Sequence, residues 1–208
     1  MTPASALDRG LGELALPMPR GARDKLLAYV ELLAKWNRTY NLTAIREPER
    51  MVSQHLLDAL VVVPHLPPGS LADVGSGGGL PGVPIAIAQP ERRVTLNDSN
   101  QKKTAFLRQA SIELGLSNAD VHTGRVEHWH PLERFAVVIT RGFAELAEFV
   151  VLCRHLVAPS GVLAAMKGVY PREELARVPP SQRCDKVIRL QVPLLDAERH
   201  LVLCQSGA

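Results

Sequence analysis

The run Leu71-Ala-Asp-Val-Gly-Ser-Gly-Gly-Gly-Leu-Pro-Gly82 sets an acid, Asp73, inside a short apolar segment. A glycine-dense turn follows, then a proline-opened apolar stretch. Glycine is needed where the backbone takes φ > 0 or must lie against a ligand with no Cβ between them. Pro84 suits the first turn of a helix, where its missing N–H is no loss. Strand, glycine turn and helix N-terminus make a nucleotide-type binding unit, because the turn exposes backbone N–H groups and admits close contact. A plain Gly-rich surface loop rarely sits between a strand signal and a helix signal.

In open α/β sheets, ligands bind at the carboxyl ends of the strands, so each strand end is a candidate. The second strand ends in Asn97-Asp98-Ser99. A carboxylate there can accept from both hydroxyls of a ribose, and Asp98 lies roughly twenty residues past the turn, as ribose binding wants. Asp and Ser are also favoured helix N-caps, so a capping role competes for Asp98. In the third region, Arg125-Val126-Glu127 offers backbone N–H groups and a carboxylate that could read an adenine edge. The fourth and fifth strands end in Arg141-Gly142 and Lys167-Gly168. Cations at two strand ends suit an anionic substrate such as nucleic acid. Spacing alone leaves open whether Arg141 points into the crevice or makes a salt bridge. Lys102, Lys103 and Arg108 add positive charge after Asp98, although a solvated helical face explains them as well.

Absences narrow the chemistry. The fourth strand carries no [D/N]-P-P-[Y/F], as amino methylation of adenine or cytosine would require, and no Pro-Cys to attack pyrimidine C6. His55 and Asp58 share one helical face and read as a structural pair. The remaining histidines show no metal-ligand pattern, so no metal is expected. An obvious general base is missing. Cys153, Cys184 and Cys204 are far apart and odd in number, which reads as buried or inert thiols.

The elements that position these residues follow from periodicity. Before residue 64 the chain is helical: a short piece at 6–15, an amphipathic helix at 21–36, a connector at 37–49 and a second helix at 51–63. The cluster Pro64-His-Leu-Pro-Pro-Gly69 is the best boundary. It divides a helical N-terminal extension, 1–66, from a core, 67–208, within one compact unit. Beyond it, strands at 70–74, 93–97, 120–122, 135–140 and 161–167 are separated by helices at 83–88, 102–115 and 144–156. A final strand pair spans 186–192 and 199–204. Strands alternating with helices predict a parallel sheet covered on both faces, and the closing hairpin would add an antiparallel edge strand. The composition of 208 residues, 46% hydrophobic and 22% charged with a net charge of +3, is that of an ordinary globular protein. The charge permits an anionic partner. No window reaches bilayer-spanning length and no signal peptide is evident, so a cytoplasmic protein without membrane contact is expected.

Asp73-x-Gly75-x-Gly77-x-Gly79 resembles the signature of class I methyltransferases that use S-adenosylmethionine. Residues 77–82 also satisfy G-x-G-x-x-G, the dinucleotide fingerprint, but the strand runs straight into Gly75 and favours the first match. The resemblance extends much further. Lys35-Trp-Asn-Arg-Thr-Tyr-Asn-Leu-Thr-Ala-Ile45, His55-Leu-Leu-Asp-Ala-Leu60, Arg125-Val-Glu127, Arg141-Gly-Phe-Ala144 and the block from Leu190 to Leu203 closely resemble the bacterial ribosomal RNA small subunit methyltransferase G family. These are 16S rRNA guanine-N7 methyltransferases, also called glucose-inhibited division protein B. The terminal blocks are not shared by methyltransferases in general. The resemblance implies a class I, Rossmann-like α/β fold and methyl transfer from S-adenosylmethionine to N7 of guanine 527, within a small-subunit ribosomal particle. It implies that Gly75, Leu80, Val126, Glu127 and Arg141 bind the cofactor. Asp73, Gly77, Gly79 and Asp98 join them from the turn and strand-end arguments, and Arg141 is the one residue expected at the chemistry. A monomer is expected. Another RNA position, an NAD-linked oxidoreductase and a non-catalytic ribosome-assembly protein are the competing readings.

Overall fold

The computed structural model describes residues 1–180 and 182–205. Helical segments come first: α1 (Pro3–Leu14), α2 (Ala22–Tyr40), α3 (Pro48–Met51) and α4 (Asp58–Leu60). A π-helical turn, Val52–Leu57, joins the last two into one continuous helix. Thr2 caps α1 by accepting from the Ser5 N–H, and Pro3 occupies the first turn. Helix α2 buries Leu26, Tyr29, Val30 and Leu33, the periodic face read from the sequence. It runs on to Tyr40, where Asn41 closes it in the left-handed region, so the connector is shorter than expected.

The core follows as β1 (Leu71–Val74), α5 (Gly82–Ala88), β2 (Val94–Asp98), α6 (Gln101–Glu113), β3 (Ala119–Thr123) and β4 (Phe135–Arg141). Then come α7 (Leu146–Cys153), β5 (Val157–Lys167), α8 (Arg172–Ala176), β6 (Arg183–Leu190) and β7 (Arg199–Gln205). The sheet order is β3-β2-β1-β4-β5-β7-β6. Strands β1 to β5 pair in parallel, and β7 lies antiparallel between β5 and β6. The expected closing hairpin is therefore present, with β7 one place in from the edge. Helix α8 was not expected, and β5 begins at Val157 rather than at residue 161.

One thiol assignment is corrected. Cys184 and Cys204 form a disulfide between β6 and β7, although they stand 20 residues apart. Antiparallel pairing brings them together, and chain spacing carries no trace of that. Cys153 is buried and free, its thiol pushed up to about 12 by burial, so it is the inert thiol that the sequence suggests.

Alternation along the strands sends side chains to two faces. Leu71, Leu96 and Ile139 pack against α1, α2, α5 and α6 through Leu7, Leu26, Leu33, Ile85 and Leu107. Ala72, Val74, Val138 and Leu163 pack against Phe149 and Val150 of α7. The N-terminal helices share the first of these clusters with α5 and α6 and so bear directly on the layer that carries the glycine turn. Each fully buried leucine in it contributes roughly 2 kcal/mol. Among the described residues no helix is long and apolar enough to cross a membrane, and no group of three or more His, Cys, Asp or Glu could hold a metal ion.

Candidate functional site

Strand β1 leads straight into the turn, where Gly75, Gly77 and Gly79 all take positive φ. The three glycines differ in their reasons. A Cβ on Gly75 would meet the Phe143 ring at 2.6 Å, and one on Gly79 would meet Val83 at 2.6 Å. At Gly77 only the Gly75 carbonyl lies within 4 Å, at 3.8 Å, so its open side is free for a ligand. Asp73 braces the turn from within. Its Oδ2 accepts from Ser76 Oγ at 2.6 Å and from the Gly82 N–H at 2.8 Å, placing a carboxylate at the start of α5. Asp73 Oδ1 is buried without a hydrogen-bond partner. Burial pushes the Asp73 carboxyl up to about 6, against the lowering effect of Ser76, the Gly82 N–H and Arg141. From behind, the buried Tyr29 of α2 donates its hydroxyl to the Gly78 carbonyl, so the extension supports the turn directly.

A cleft of about 370 Å³ opens over the ends of β1 and β2. Gly75, Asn97, Asp98, Ser99, Arg125, Val126, Glu127 and Phe143 line it, with Lys103 and Gly124. Asp98 Oδ2 accepts from the Gly77 N–H at 3.0 Å, and Oδ1 from the Asn100 N–H at 2.8 Å. The cap of α6 is Asn100, whose side chain accepts from the N–H groups of Lys102 and Lys103. Asp98 is thus free of the capping role that competed for it and binds the turn. Lys103 Nζ stands 3.8 Å from Asp98, so this lysine belongs to the cleft, whereas Lys102 is exposed. Asn97 donates to the Gly124 carbonyl at 2.9 Å, fixing the segment that carries Val126 and Glu127. Trp129 stacks on His122 with centroids 4.6 Å apart and anchors that segment from the far side.

Arg141 lies next door. A second cleft of about 440 Å³ shares Gly142 with the first and is lined by Thr43, His55, Asp58, Arg141, Met166, Lys167 and Arg199, among others. Arg141 Nη1 donates to Asp58 Oδ2 and to the Gln54 carbonyl, both at 3.0 Å, so it both faces the crevice and makes a salt bridge. The π-helical turn supplies that carbonyl. In an α-helix the Asp58 N–H would occupy it, but here that N–H bonds the carbonyls of Ser53 and His55. His55 Nε2 sits 2.7 Å from Thr43 Oγ1, and Nδ1 lies 3.3 Å from Arg141 Nη2. Burial, and after it the Arg141 charge, hold His55 down to about 4, so the ring is neutral at neutral pH.

Of the residues singled out in the sequence, Gly75, Asp98, Val126 and Glu127 line one cleft, while Asp73 is buried beneath the turn and Gly77 is held by Asp98. Leu80 is 5% exposed and packs into the core, and Gly79 serves packing against α5. His55 and Asp58 do not bond each other; both are directed at Arg141. Lys167 is paired with Glu174 at 2.6 Å, whereas Arg108 donates to Thr123 at 2.7 Å and has no ion pair among the described residues. In the extension Arg9 pairs with Glu13, Arg23 with Asp8 and Arg50 with Glu47, leaving Arg20, Lys35, Arg38 and Arg46 exposed and without an ion pair among the described residues. Sequence reasoning missed Phe143 and the joint role of Thr43, Asp58 and Arg199. All lie inside or beside the family blocks, but nothing in their spacing says that they meet.

The sequence profile described as rRNA small subunit methyltransferase G matches residues 22–202. The chain is 55% identical over 197 residues to ribosomal RNA small subunit methyltransferase G of Chromobacterium violaceum, covering 94% of each. To that of Neisseria meningitidis serogroup B it is 52% identical over 198 residues, covering 95% of each. Among solved structures, cofactor-bound Rv0187 from MTB is similar with a TM-score of 0.61 at 14% identity, over 88% of this chain and 90% of that one. TrmN from Thermus thermophilus gives 0.53 at 16% identity, over 81% and 52%. These structures bear on the fold, which is that of the class I methyltransferases.

Proposed function

Because the chain belongs to the rRNA small subunit methyltransferase G family, and is thereby an rRNA methyltransferase, we infer that it methylates N7 of guanine 527 of 16S rRNA with S-adenosylmethionine as donor. The observation that carries this reading is the meeting of two unlike clefts at Gly142. One is lined by Gly75 of the turn and by Asp98 and Glu127 beside Lys103 and Arg125, the other by Arg141 and Arg199 around Asp58.

The first cleft fits the donor. Gly77 leaves open the space that a Cβ would face, and Asp73 offers a buried acceptor without a partner. Asp98 would hold the ribose hydroxyls, Val126 and Glu127 the adenine, and Gly75 and Gly77 the methionine portion, with Gly79 and Leu80 shaping the turn. When bound, S-adenosylmethionine supplies an electrophilic methyl group on a cationic sulfur. Asp73, Asp98 and Glu127 favour a cation beside them electrostatically.

Guanine N7 carries an in-plane lone pair and no proton, so the protein has no base to provide. His55 agrees with that: it is neutral, its ring nitrogens are directed at Thr43, Gln54 and Arg141, and it takes up a proton only near pH 4. What the residues contribute is alignment, which can supply most of the acceleration when the acceptor already has its electron pair. Arg141 stands at the boundary of the two clefts as the residue that orients the reacting partners. Inside an A-form helix N7 is hard to reach, so the substrate is folded rRNA with its guanine splayed out, within a small-subunit particle. The test is to map N7-methylguanosine in 16S rRNA from cells with and without the protein. Loss of the mark at guanine 527 in its absence is the expected result. An unchanged mark there would refute the assignment.

A further inference from the structure

Asp58 holds two arginines at once. Its Oδ2 accepts from Arg141 Nη1 at 3.0 Å and its Oδ1 from Arg199 Nε at 2.8 Å. The Asp58 side chain is 3% exposed, and those of Arg141 and Arg199 are 23% and 25% exposed. Two positive charges therefore share one negative charge at the wall of the second cleft. The neighbours do little to restore the balance: Lys167 is neutralised by Glu174, His55 is uncharged, and the Asp73 carboxylate, although it feels the Arg141 charge, makes no hydrogen bond to either arginine. Half-buried cations in excess of their counter-charge are costly, and an anion entering the cleft would relieve that cost. Donors are available to meet it. Among the described residues Arg199 Nη2 and Arg141 Nε have no hydrogen-bond partner, and the planar guanidinium fork matches a phosphate.

We propose that Asp58 is a positioning residue, yoking Arg141 and Arg199 into one grip for a phosphate of the RNA beside the target base. The proposal deepens the RNA-methylation reading and rests on it. Without the shared carboxylate the two guanidiniums repel each other. Arg141 would keep its bond to the Gln54 carbonyl, while Arg199 would keep only its bond to the Glu198 carbonyl. The helical extension thereby sets the geometry of a substrate contact although it lies outside the donor cleft.

The experiment is steady-state methylation of small-subunit particles by the full chain, with donor affinity measured separately by calorimetry. Asp58→Asn is expected to raise KM for the particle about tenfold while leaving donor affinity within about twofold. Arg199→Gln is expected to do the same and to make the slope of log KM against log salt shallower by about one, the signature of one lost phosphate contact. Adding Asp58→Asn to Arg199→Gln should cost little more, because Asp58 acts partly through Arg199. Equal losses of donor affinity and particle KM, an unchanged salt slope, or full additivity would overturn the proposal. Should Asp58→Asn fail to fold, the Arg199→Gln salt slope decides by itself. Methyl transfer mapped to an atom other than guanine N7 would refute the functional reading alone, with the salt slope still judging Asp58.

Discussion

Replacing Asp73 with Asn separates two opposing pH effects buried in the same site. Asn is close in shape, and its carbonyl can keep accepting from Ser76 and the Gly82 N–H while its amide takes the place of the unpartnered Oδ1. Burial lifts the Asp73 carboxyl from 3.8 to about 6. Between those values the native state holds a proton that the unfolded chain has released, so stability falls as pH rises through the window. At about 1.4 kcal/mol per pH unit the loss is about 3 kcal/mol, complete above pH 6. His55 works the other way. Its native value near 4 against an ordinary 6.5 means that the unfolded chain binds the extra proton, so stability rises with pH from 4 to 6.5 by a similar amount, about 3 kcal/mol. From these two groups together the wild type should show little pH dependence there. Asp73→Asn removes the falling component and exposes the rise. Urea unfolding of both proteins at half-unit steps from pH 4 to 7 measures this directly. The variant's stability minus the wild type's should grow by about 3 kcal/mol across the range, every other group cancelling in the difference. At neutral pH the variant should be the poorer donor binder. A constant difference, or one shrinking with pH, would refute the reasoning. It would mean that Ser76, Gly82 and Arg141 outweigh burial.

Three further outcomes follow from the proposed donor site and its surroundings. Asp98→Ala should weaken S-adenosylmethionine binding by about 1 to 3 kcal/mol, measured by calorimetry, since it removes a charged acceptor that also holds the Gly77 N–H; unchanged affinity would remove Asp98 from the site. Gly77→Val should abolish donor binding in the same assay while far-ultraviolet circular dichroism stays native, because the new side chain faces open cleft rather than core, although φ there is +58°. A variant methylating at the wild-type rate would show that the turn is not the pocket. At saturating donor the pH–rate profile should be flat from about pH 7 to 9, since Asp73 has ionised by then, His55 titrates near 4 and the acceptor has no proton to lose; a limb with its midpoint above about pH 7 would point to a base.

Much of this protein is local, and what is local was legible. The glycine turn follows from residues within one strand and one helix start, because positive φ, helix periodicity and capping are properties of a few consecutive residues. The parallel sheet follows from strands alternating with helices, and Asp98 from its place at a strand end. Tertiary structure alone decided the rest. Asp58 meets Arg141 across 83 residues and Arg199 across 141, and Cys184 meets Cys204 through strand pairing. The π-helical turn, which leaves the Gln54 carbonyl for Arg141, has no signal in the sequence read by itself. Whether an arginine at a strand end is free or yoked depends on what the rest of the chain brings beside it. The energy of a buried charge is set by its neighbours in space, which pattern and spacing along the chain do not specify.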